Sequence, residues 1–113
     1  MKEVILLLVE INAQKVVAAL KGLSVPEDSW HIIIDDSEAE AELISLVREE
    51  RPKGVIIDAS LDQIYLENIC TSVENTAGTF DMYLRLYSLE GTVKFPGVTA
   101  ITMDDVKQII EES

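Results

Sequence analysis

Asp58 follows an apolar run, Val55-Ile56-Ile57, and opens onto the small, polar pair Ala59-Ser60. A run that is apolar on both faces belongs inside a parallel sheet covered by helices. In such sheets the carboxyl ends of the strands form the crevice where ligands and chemistry gather. Asp58 is therefore placed where an acid can work, or can help hold a divalent cation if other acids converge on it. Two further apolar runs also end on acids: residues 4–9 run into Glu10, and residues 30–34 into Asp35-Asp36. Other chemistries find little support. There is no nucleophile elbow, no phosphate-cradling glycine loop, and no Ser/His/Asp or Cys/His set. His31, the only histidine, has no second His or Cys nearby, so it is expected neither to ligate a metal nor to run acid–base catalysis. The expectation is a protein that is not an enzyme.

Alternating strands and helices must position these acids. Residues 4–9 form the first strand. The following helix carries Ala13, Val16, Val17 and Leu20 inward, with Asn12 as its cap and Gly22 as its stop. Residues 30–34 form the second strand. Ser37 and Glu40 then make a capping box for a helix with Ala39, Leu43, Leu46 and Val47 inward, closed by Pro52; Asp35-Asp36 cap and solvate its start. After Asp58, Leu66, Ile69, Cys70, Val73 and Ala77 keep helical spacing, so a third helix spans about residues 62–75. Cys70, the only cysteine, reads as a small buried hydrophobe.

Residues 80–89 read as strand four, with Tyr83, Arg85 and Tyr87 on one face and Leu84 and Leu86 on the other. Residues 92–95 read as a short strand five. It is either a parallel edge reached by a loop or, through Glu90-Gly91, the return arm of a hairpin. Thr102 caps a last helix with Met103, Val106, Ile109 and Ile110 inward. No amphipathic helix fits between strands four and five. This rhythm is that of a single α/β domain over residues 1–113, a three-layer αβα sandwich on a doubly wound, five-stranded, mainly parallel sheet.

Composition narrows the partners. The 113 residues hold 21 acids against nine Lys and Arg, a formal charge of −12. That charge disfavours nucleic acid and anionic membrane surfaces, which need a basic patch. It suits a basic protein partner. The apolar opening run is too short for a signal segment or a membrane span, which leads to the expectation of a cytoplasmic protein.

Four segments, in order, carry a resemblance. LLLVEINAQKVVAAL (residues 6–20), EERPKGVIIDASL (49–61), LENICTSVEN (66–75) and GTVKFPGVTAITMDDVKQII (91–110) are similar to the opening strand and helix, the third strand, its following helix, and the closing strand and helix of bacterial response-regulator receiver domains. The resemblance implies a receiver, or flavodoxin-like, fold whose fourth helix is missing or replaced by a loop. It matches Asp58 to the phosphoacceptor, Lys94 to the lysine that contacts the phosphoryl group, and Ser88 or Tyr87 to the hydroxyl residue after strand four. It matches Glu10 to one of two acids that hold magnesium, with Ser60 lending a carbonyl.

The departures are specific. Ile11 stands where the family has its second acid, which removes a ligand and a charge from a magnesium site that needs near-octahedral oxygens. Leu61-Asp62-Gln63 replaces the usual proline and glycine after the acceptor. The resemblance therefore points to a pseudo-receiver of two-component signalling, acting through protein–protein contact with a histidine kinase or downstream effector, with a weakened magnesium site or none. Tyr83, Arg85 and Tyr87 would form the contact surface that a missing helix exposes, and an exposed strand four would suit a homodimer. The alternatives are a working phosphorelay receiver using Asp58 and a weak magnesium site, and a structural subunit resembling the small stalk subunit of V-type rotary ATPases.

Overall fold

The computed structural model describes residues 3–78, 81–88 and 99–112, and the backbone alone at Glu27 and Thr99. In chain order its main elements are β1 (Val4–Leu8), α1 (Glu10–Lys21), β2 (Trp30–Ile34), α2 (Ala39–Glu50), β3 (Gly54–Asp58), α3 (Gln63–Thr76), β4 (Tyr83–Tyr87), β5 (Thr99–Ile101) and α4 (Met103–Glu112). The five strands form one sheet in the order β2-β1-β3-β4-β5. Every pairing is parallel. This is the flavodoxin-like order, with its reversal of winding beside β1 and β3.

Strand alternation builds the layers. Ile5 and Leu7 of β1, with Val55 and Ile57 of β3, pack against Leu43 and Val47 of α2 and Ile69 and Val73 of α3. Val4, Leu6 and Leu8, with Ile56, face the other way onto Val16 and Leu20 of α1 and Val106 and Ile110 of α4. β1 and β3 are buried along their whole length, which explains why they read as continuous apolar runs. Among the described residues no helix is long and apolar enough to cross a membrane.

Several local expectations need correction. α1 begins at Glu10, so Asn12 lies inside the first turn rather than at the cap. α2 begins at Ala39, and Asp36 serves its start, accepting from the Glu38 amide at 2.8 Å; Ser37 does not cap it. The Asp36 carboxylate reaches forward two residues to that amide as an Asx turn, which a serine hydroxyl forms more weakly. The fifth strand is Thr99–Ile101 and runs parallel to β4. A three-residue strand is too short to show a period, so the sequence pattern passed over it. The expected strand at residues 92–95 lies outside the described residues. Among the described residues no helix separates β4 from β5.

Cys70 sits on the inward face of α3 at 2% exposure. Burial, and then the Glu74 carboxylate, push its thiol from 9.0 up to about 11. Iodoacetamide at pH 8 should therefore alkylate native protein roughly 100-fold more slowly than the unfolded chain, before counting steric exclusion. Because the folded thiol holds its proton more tightly, this group leaves stability untouched below about pH 9 and erodes it from there to about pH 11. A Cys70→Ala variant should lose that part of the alkaline decline, read from urea midpoints across the range.

Candidate functional site

Asp58 closes β3 at the carboxyl edge of the sheet and is 1% exposed. Its side chain points to the α1 face, the same face as Ile56 two residues earlier. Four donors meet it. Oδ2 accepts from the Val9 amide at 3.0 Å and from Asn12 Nδ2 at 2.8 Å. Oδ1 accepts from the Ser60 amide at 2.9 Å and from Ser60 Oγ at 2.6 Å.

The arrangement follows from local structure. The first amides of a helix have no intrahelical acceptor, and Val9 is the N-cap residue of α1, with no side-chain cap of its own. A carboxylate on the neighbouring strand supplies the missing acceptor and meets the positive end of the helix dipole. Asn12 is buried because it continues the inward stripe formed by Val16 and Leu20, at spacings of four. That stripe was the sequence signal for the contact; reading Asn12 only as a cap hid it. Ser60, expected to lend a carbonyl, contributes its amide and hydroxyl to Asp58 instead.

The remaining expected residues divide. Glu10 is exposed on the first turn of α1, and Ile11 beside it is 63% exposed. Among the described residues no group of three or more His, Cys, Asp or Glu side chains is placed to hold a metal ion. Both Asp58 oxygens are already engaged by N–H and O–H donors. Ser88 lies just past β4, its amide donating to the Ile101 carbonyl at 2.9 Å. Lys94 lies outside the described residues.

Tyr87 pairs with Asp58 across β3 and β4. It is 1% exposed, packed among Ile56, Ile101 and Val106, so it belongs to the core and not to a contact surface. The strand alternation was read correctly, but α4 covers that face at this level. Its hydroxyl finds no hydrogen-bond partner among the described residues. Burial, and then the Asp58 carboxylate, push its phenol above the ordinary value.

Tyr83, at the opposite end of the strand, and Arg85, at its middle, remain partly accessible. The Arg85 guanidinium stands 5.3 Å from the Tyr83 ring centre, a cation–π pair, and Nη1 donates to the Leu84 carbonyl. With Lys53, Ile109 and Glu112 they line a cleft of about 220 Å³. Lys53 is paired with Glu3 at 3.1 Å, so acids balance the cations there.

No protein-family model, curated protein or solved structure matches the chain.

Proposed function

We propose that this protein is a receiver-like signalling domain that works by protein–protein contact and independently of phosphorylation. The observation that carries the reading is the bonding of Asp58: a buried carboxylate whose two oxygens already accept four hydrogen bonds. Phosphoryl transfer to a carboxylate depends on positioning and on neutralising charge around the transferred group. Here the carboxylate is turned into the protein and tied to α1, and by the receiver resemblance Ile11 stands where a second acid is expected. A strand-end acid that holds a helix in place is the role this geometry favours.

The test is incubation with acetyl phosphate over a range of magnesium concentrations, followed by intact mass measurement. No stoichiometric adduct is expected. A phosphoryl adduct that Asp58→Asn abolishes would restore the working-receiver alternative.

A further inference from the structure

Among the described residues three large aliphatic side chains stand exposed, and their positions are not scattered. Ile11 is 63% exposed, Ile34 49% and Ile64 71%. Ile34 ends β2, Ile11 lies in the first turn of α1 after β1, and Ile64 in the first turn of α3 after β3. β2, β1 and β3 are neighbours in the sheet, so all three isoleucines rise from its carboxyl edge. Single exposed hydrophobics are ordinary on any surface. Here they share one edge of the sheet, with α1 and α3 on its two faces, and an edge that carries several of them suits an interaction site.

The group is held in place. Asp58 fixes the first turn of α1 through the Val9 amide and Asn12. Asp62 is the N-cap of α3, accepting from the Tyr65 amide. Burial, and then the Asp35 and Glu40 carboxylates, raise the Tyr65 phenol, so the first turn of α3 lies close to the acids that follow Ile34 at the end of β2. Anchors fixed in this way lose little freedom on binding.

Among the described residues the charge around them has one sign. Glu10, Asp35, Asp36 and Asp62 interleave with the isoleucines. Glu40 and Glu42 open α2, and Asp104 and Asp105 open α4. No Lys or Arg falls in the first turn of any of the four described helices.

We propose that this edge docks a cationic amphipathic helix of a partner protein, its apolar side chains on Ile11, Ile34 and Ile64 and its Lys or Arg residues against the surrounding acids. Helix-in-groove recognition uses this combination of apolar anchors and flanking charge. A second copy of the chain would bring the same acids, and with a charge of −12 on each copy it is repelled. The inference rests on the interaction-module reading and names its surface and partner chemistry.

A labelled helical peptide of leucine and lysine, amphipathic in register, is the probe. Its controls replace lysine with glutamate, or shuffle the same residues off the helical period. Fluorescence anisotropy in about 0.15 M salt should show binding of the first peptide only. Isoleucine methyl shifts should change at residues 11, 34 and 64. The Ile11→Ser/Ile64→Ser double variant should bind at least about tenfold more weakly with an unchanged urea midpoint, since both side chains are exposed. Absence of binding, equal binding of the glutamate peptide, shifts confined to other surfaces, or an unaffected double variant would each overturn the proposal. Self-association in sedimentation that the double variant removes would overturn it in favour of a homotypic interface. The two readings fail separately: an adduct on Asp58 removes phosphorylation independence, whereas loss of peptide binding without an adduct removes only this docking surface.

Discussion

Asp58→Ala should cost about 3–5 kcal/mol of stability, read as a fall in the urea midpoint with an unchanged slope. The substitution strands the Val9 amide and the buried Asn12 amide group, each a donor worth roughly 1–3 kcal/mol when left unmet. The Ser60 donors contribute least, because Ser60 is exposed and water can replace the acceptor. Loss on this scale is a large part of the 5–15 kcal/mol typical of a domain. Asp58→Asn should fall between the variant and wild type: its oxygen still accepts, but its amide group faces donors. Removing the partner as well, in Asp58→Ala/Asn12→Leu, should recover part of the loss, since no buried donor remains on that side chain. If Asp58→Ala unfolds at the wild-type midpoint, the carboxylate is not the structural tie described above.

Gly54→Ala should cost about 1–3 kcal/mol although alanine suits a strand better than glycine does. Gly54 pairs with Tyr83 across β3 and β4, and the Tyr83 ring lies directly over its Cα. A Cβ at residue 54 would fall inside that ring. The ring must then swing away, uncovering Gly54's strand and breaking the contact with Arg85. The diagnosis is testable by a double-mutant cycle. In a Tyr83→Ala background the same glycine substitution should be nearly neutral, a coupling of roughly 0.5–3 kcal/mol. Equal costs in both backgrounds would place the strain elsewhere.

The sheet was legible because fully buried strands leave an unbroken apolar run, and β1 and β3 are buried on both faces. Helix faces were legible from spacing: the inward residues expected for α2 and α3 include the buried Leu43, Val47, Ile69, Cys70 and Val73. Helix starts were less legible. They depend on which side chain reaches a free amide, and for α1 that side chain comes from another strand, far away in sequence. No local pattern encodes such a partner. The same limit applied to Asp58: its position at the crevice was readable from residues 55–60, but its bonding was not. Tyr87 illustrates the difference between a face and its cover. Alternation assigned the face, while burial depended on where α4 packs.

The all-parallel pairing also constrains how the chain can reach this state. Val4 lies beside Trp30 and beside Gly54, and Gly54 beside Tyr83, so each of these contacts needs a helix-length crossover to close first. None of these pairs can zip from a tight turn, and loop closure must be met before a ladder hydrogen bond rewards it. β1 and β3 are each flanked by strands on both sides, which makes them the natural meeting point of that search. The contact between the end of β3 and the start of α1 joins the first crossover to this centre, so the polar tie at Asp58 also has a place in the order of assembly.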